Sequence, residues 1–209
     1  MTERPSVPIS DLVTGTTQVA FELHITGGIR AARRGDPGTV WSWFPIFRNE
    51  QPAELEPVHI GAIAALARAL SLDLFGGDEL SGLDTRLISR SWTSLDGAHS
   101  GGLKPEQLWG AIAWNADQDG DARYAVLARN IAFSLHASGI RLRDASDRYH
   151  DQLMAAIDRK VPPGQRFSNI PMHDLRLAFH SVLSELASAR DYLAAALGLG
   201  LAHRRRSTQ

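Results

Sequence analysis

The sequence predicts a mainly α protein: a single bundle of about five helices, with two long antiparallel C-terminal helices. Three observations carry this expectation. From Asp121 to Lys160, the residues Tyr124, Leu127, Ala128, Ile131, Leu135, Leu142, Tyr149, Leu153 and Ile157 recur at spacings of three, four or their sums, which places them on one stripe of a helix. From Pro171 to Leu197, the residues Met172, Leu175, Phe179, Leu183, Leu186, Leu193 and Leu197 form a second stripe. Between them Val161-Pro162-Pro163-Gly164 ends the first helix, and a connection as short as Val161 to Ile170 returns the second alongside it.

Taken in order, residues 1–16 carry Pro5 and Pro8 with little periodicity and read as a flexible N-terminal arm. The segment 17–35 supports two readings. Val19, Phe21, Leu23 and Ile25 alternate with Ala20, Glu22 and His24 as in a strand, whereas Phe21, Ile25, Ile29 and Ala32 share a helical face. Gly27-Gly28 disfavours a helix by roughly 1 kcal/mol per glycine. In a chain whose other elements look helical, the helix to Arg34 is preferred and the strand stays open. Residues 39–52, with Val40, Trp41, Trp43, Phe44 and Phe47, read as an aromatic cap on one end of the core.

A helix is expected from about Pro57, with Ile63, Leu66, Ala67, Leu70 and Leu74 buried and Gly76-Gly77 as its stop. The polar stretch 76–102 is expected to hold a short helix at Thr85–Trp92. Lys104-Pro105-Glu106 opens another helix, ending near Asn115, with Leu108, Trp109 and Ile112 inward. The run 115–121 has oxygen ligands at alternate positions, as an EF-hand loop begins, but Val126 falls where a bidentate Glu is wanted and Ala122 where a branched apolar residue is usual. It reads instead as a polar turn whose Asp121 caps the next helix. The stripe 121–160 is either one helix or two meeting near Ser138-Gly139, supported by Arg143 with Asp147 and Asp144 with Arg148. Arg190, beside the last stripe, should snorkel or pair with a carboxylate. The helical domain thus spans 17–198, and 199–209, with His203-Arg204-Arg205-Arg206, reads as a basic flexible tail.

Composition narrows the function classes. The chain has 209 residues, 44% hydrophobic and 22% charged, with net charge −1, so it lacks the positive excess of a protein that grips long nucleic acid by its backbone. DNA is not expected; RNA could meet a local basic patch. The absence of cysteine excludes disulfides, thiolate metal sites and a cysteine nucleophile, and fits a reducing cytosol. No apolar run reaches the roughly eighteen residues of a membrane span, and the polar start Met1 to Ser10 is no signal peptide. The expectation is a cytoplasmic protein without membrane contact.

No phosphate-cradling loop, dinucleotide fingerprint, serine elbow or zinc-protease histidine pair is present. His173, His180 and Asp191 spread over about 27 Å of helix and cannot share one ion unaided, so neither metal nor cofactor is expected. One lead to chemistry is a file of Arg129, His136, Arg143 and His150, seven residues apart along the helix 121–160. A histidine that exchanges a proton beside an arginine that stays charged suits cleavage of an RNA phosphodiester.

In this file Arg129-Asn130 is followed by His136, and Arg143-Asp144 by His150: Arg, a polar residue, then His after six intervening positions. With the helical pattern, this resembles the HEPN superfamily of small helical bundles, over roughly residues 55–197. The resemblance implies a metal-independent endoribonuclease of a toxin or defence system, with His136 or His150 in proton transfer and Arg129 or Arg143 steadying the phosphate. Against it stands a binding role, a helical interaction module acting as a homodimer or with a protein partner through leftover apolar surface, in which the file is a solvated helix face. A third reading is a small-molecule pocket roofed by Trp92, Trp109 and Trp114.

Overall fold

The computed structural model describes residues 18–34, 41–48, 51–55, 60–83, 86–94, 104–162, 164–165 and 169–207. The expected arm at 1–16 and the helix start near Pro57 lie outside them. The mainly α, five-helix expectation is overturned. Six strands, β1 (Gln18–Ile25), β2 (Ile29–Arg34), β3 (Trp41–Arg48), β4 (Gln51–Leu55), β5 (Leu74–Leu83) and β6 (Arg86–Ser94), form one antiparallel sheet in the order β4-β3-β2-β1-β5-β6. Four helices accompany it among the described residues: α1 (Ile60–Ala69), α2 (Pro105–Gln118), α3 (Ala122–Asp158) and α4 (Ile170–Ser207). The protein is mixed α and β. It divides into two compact units, residues 1–96 with 146–172, and residues 97–145 with 173–209.

In the first unit, the segment preferred as a helix is a β-hairpin. The chain reverses across Thr26–Gly28, where Gly27 and Gly28 take φ of +80° and +79°. This left-handed conformation strains residues bearing a Cβ, so the glycine pair makes the turn that a helix would have forbidden. At Gly28 a Cβ would also stand 2.8 Å from the Tyr149 carbonyl oxygen, so the glycine lets α3 approach the turn closely. Alternation in β1 is real because both faces are covered: Leu23 and Ile25 are buried on one, Ala20, Glu22 and His24 on the other.

The apolar face packs Leu23, Ile25, Ala31, Trp41 and Trp43 against Ile63 and Ala67 of α1. Trp41 and Trp43 therefore belong to a central strand of the core rather than to an end cap. Pro45 has no N–H for the ladder, and the β3–β4 register shifts between Trp43 and Phe47. Helix α1 is shorter than expected. It ends at Ala69, with Ser71 at φ +58° and the Leu72 N–H donating to the Ala67 carbonyl at 2.9 Å. Leu66 and Leu70 are exposed, and Leu74 opens β5 instead of closing the helix.

The expected helix at Thr85–Trp92 is also corrected, since β5 and β6 pair as a hairpin from Gly76↔Ser94 to Leu83↔Arg86. Gly76-Gly77 is no helix stop. A Cβ on Gly76 would fall within 1.8 Å of the Trp92 ring, so the bare glycine is what lets that indole lie across β5.

The second unit is helical. Asp121 accepts the Tyr124 N–H at 3.0 Å and caps α3. This helix continues through Ser138-Gly139 without interruption. Alanines dominate the interior: Ala113 of α2, Ala125 and Ala128 of α3, and Ala189 and Ala196 of α4 are buried with Ile131 and Leu175. Arg123, Val126 and Leu127 line a cavity of about 520 Å³ together with Ala195, Gly198 and Leu199, so the start of α3 neighbours the end of α4. Helix α4 runs to Ser207, through most of the segment read as a basic tail. Among the described residues no helix is long and apolar enough to cross a membrane.

Candidate functional site

The four residues of the Arg/His file fall in both units. In the second, Arg129 pairs with Asp117 of α2, both about half exposed, His136 is exposed, and Arg143 pairs with Asp144 at 3.0 Å. Arg129, His136 and Arg143 follow one another about 10 Å apart along the helix axis. His150, in the first unit, is half-buried and donates its Nδ1–H to the Gly28 carbonyl at 2.7 Å; burial lowers its pKa. The pairs expected at spacing four are replaced: Asp144 meets Arg141 and Arg143, Arg148 meets Asp151, and Asp147 turns to the sheet. Of the three tryptophans, Trp92 lies in the first unit, while Trp109 and Trp114 lie in the second, Trp114 largely exposed.

The sheet face opposite the core carries charges that the sequence reading did not single out. Glu22 stands across from Asp78, and His24 across from Arg30 on one side and Gly76 on the other. Arg90 reaches this face from β6, and Ser146 and Asp147 reach it from α3. Arg30 donates to Glu22 at 2.7 Å and to Asp147 at 2.6 Å. Arg90 donates to both oxygens of Asp147 and, through Nε and Nη2, to Asp78 Oδ2. Both guanidiniums are thus shared between two carboxylates, and Arg90 grips Asp147 through Nη1 and Nη2 in the fork geometry in which arginine is strongest.

The electrostatics follow from burial. Burial opposes the Arg30 charge, but Glu22 and Asp147 outweigh it and its pKa rises; Arg90 rises likewise through Asp147 and Asp78. Burial would raise the carboxyl of Asp147, yet Arg90 and Arg30 hold it down to about 2. His24 is fully buried, and burial lowers its pKa against the opposing effect of its hydrogen bond to Asp78, which favours the neutral ring. An ionised carboxylate only accepts, so Nε2–H donates to Asp78 Oδ2 at 3.1 Å and Nδ1 accepts from the Ser146 hydroxyl at 3.0 Å. Trp92 closes over the ring edge to face, with centroids 4.8 Å apart.

Ser146, His24 and Asp78 therefore have the connectivity of a hydrolase relay with the two ring nitrogens exchanged. Ser146 is only 6% exposed, however, so its hydroxyl is not presented to a substrate. Three carboxylates against two guanidiniums leave one negative charge in the cluster. Glu22 Oε2 and Asp78 Oδ1, both buried, have no hydrogen-bond partner among the described residues.

A second feature belongs to the second unit. On α4, Leu175, Ala189 and Ala196 are buried at multiples of seven residues. One position further round, Phe179, Leu183, Leu186, Leu193 and Leu197 form a stripe with exposures of 37–63%. Arg190 completes its four-three spacing and pairs with its neighbour Asp191 at 2.9 Å, rather than with a carboxylate of another element. Alternate steps of four and three are the seam of a coiled coil. Its members were visible in the sequence as an apolar stripe, but which part of that stripe stays exposed was not.

No protein-family model, curated protein or solved structure matches the chain.

Proposed function

We propose that this chain is a self-association module in which the α4 stripe of one copy packs antiparallel on that of a second. The observation that carries the reading is the exposed seam Phe179, Leu183, Leu186, Arg190, Leu193 and Leu197 beside a face already buried. Apolar surface gathered in this way marks an interaction site. The pattern is also self-complementary. In an antiparallel pair, Leu183 meets Leu193, Phe179 meets Leu197 and Arg190 meets Leu186, and one register satisfies all three. A parallel pair would set Arg190 against Arg190, so the single charged seam position favours the antiparallel arrangement, the role that polar seam residues have in fixing register.

The magnitude expected is modest. Covering ten half-exposed large side chains contributes on the order of 1 kcal/mol each, against an association cost of about 4–15 kcal/mol. At the low end of that cost about 6 kcal/mol remains, a dimer with a dissociation constant of tens of micromolar. Sedimentation equilibrium at concentrations well above that constant is the test: the wild-type chain should approach twice the mass of the 22.8 kDa monomer, and Leu183→Glu should be monomeric with unchanged circular dichroism. A monomeric wild type, or a Leu183→Glu variant that stays dimeric, would contradict the proposal. The HEPN-like endoribonuclease has its own signature, RNA cleavage in chelator that His136→Ala or His150→Ala abolishes.

A further inference from the structure

We propose that Glu22, His24 and Asp78 form a binding site for one first-row transition-metal dication. One ligating atom from each of the three lies within 4.8 Å of the others, and all three residues are buried. The sheet register explains the convergence: Glu22 and Asp78 are direct cross-strand partners, and His24 is two positions along the same face of β1.

Two further observations point to a cation. Glu22 Oε2 and Asp78 Oδ1 are buried carboxylate oxygens without a hydrogen-bond partner among the described residues, a costly condition for charged acceptors. The cluster also carries one more carboxylate than guanidinium, so a bound dication would partner the orphaned oxygens and take the cluster from one negative to one positive charge. The other atoms of these ligands are already held from outside, as metal ligands require: Arg30 holds Glu22 Oε1, Arg90 holds Asp78 Oδ2, and Ser146 holds His24 Nδ1. On binding, His24 exchanges tautomer. Nε2 gives up its proton to leave a lone pair for the metal, Nδ1 gains one, and the Ser146 hydroxyl turns from donor to acceptor. Imidazole with two carboxylates suits Zn²⁺ or Mn²⁺ and disfavours Mg²⁺, which prefers oxygen ligands and water. Arg30 and Arg90 temper the affinity.

The test is equilibrium dialysis of the tag-free full chain against Zn²⁺, Mn²⁺ and Mg²⁺. One Zn²⁺ per chain should be retained by the wild type and by a variant with His136, His173 and His180 all changed to Ala. Retention should weaken at least about tenfold in Glu22→Gln, and Mg²⁺ should not be held. No retention of Zn²⁺, or retention that the surface-histidine variant abolishes, would overturn the site. If Glu22→Gln does not fold, imidazole nitrogen NMR of the wild type decides. Zinc must shift the ring nitrogens of a buried histidine into the Nδ1-protonated, Nε2-bound pattern; a buried ring left unchanged would reject it.

Discussion

Arg30 is nearly fully buried, and its two carboxylate partners make that tolerable. A buried ion pair adds little over an apolar replacement of the whole group, but removing one member leaves the others charged and desolvated. Arg30→Met should therefore cost about 3–5 kcal/mol, read as a lowered urea midpoint. Asp147 sets a pH dependence. Its carboxyl sits at about 2 against an ordinary 3.8, so the folded state binds this proton more weakly than the unfolded one. The resulting stability is complete above the unfolded value and lost as pH falls through about 2, an effect of about 2 kcal/mol. Urea unfolding in chelator at about pH 5 and pH 3 should show about half of this loss in the wild type and a smaller one in Asp147→Asn. None of these partnerships was legible in the sequence, because strand register brings Glu22, Asp78 and Arg90 together and Asp147 joins them from α3. A seven-residue spacing can be read from one helix; a cross-sheet contact between residues 22 and 78 cannot.

At the scale of elements, legibility followed how local the signal was. Asp121 before an apolar stripe announces a cap, and the capped helix is there; Asp121→Ala should lower its stability by about 1 kcal/mol, measured by thermal unfolding. The hairpins were harder. Phe21, Ile25, Ile29 and Ala32 satisfy helical spacing by coincidence with the strand alternation, and the weight of other helical segments tipped the choice. Gly27-Gly28 was the better guide, since positive φ at both glycines is incompatible with the helix interior. In β5 and β6 the pattern was hidden because residues of the buried polar face, such as Asp78 and Arg90, look like surface residues. In β5 the buried Asp78 shares its face with Gly76 and Leu80, so polar and apolar residues do not separate by face.

At the scale of the whole molecule, each unit has its own kind of candidate site. The sheet unit encloses a charged cluster that excludes substrate and has room in its chemistry for a cation. The helical unit leaves an apolar stripe with four-three spacing exposed along α4, beside the buried Leu175, Ala189 and Ala196. The composition, without cysteine, leaves no disulfide or thiolate chemistry in the chain's inventory, but carries no information about which apolar residues remain exposed.

The cysteine-free background permits the most direct test of self-association through α4: oxidative cross-linking of a mixture of Leu183→Cys and Leu193→Cys chains. The antiparallel register predicts cross-linked heterodimers between positions 183 and 193 at micromolar concentration, and little cross-linking when either variant is alone. Efficient 183–183 and 193–193 cross-links would show a parallel pair, and the absence of any cross-link would contradict the α4 interface itself.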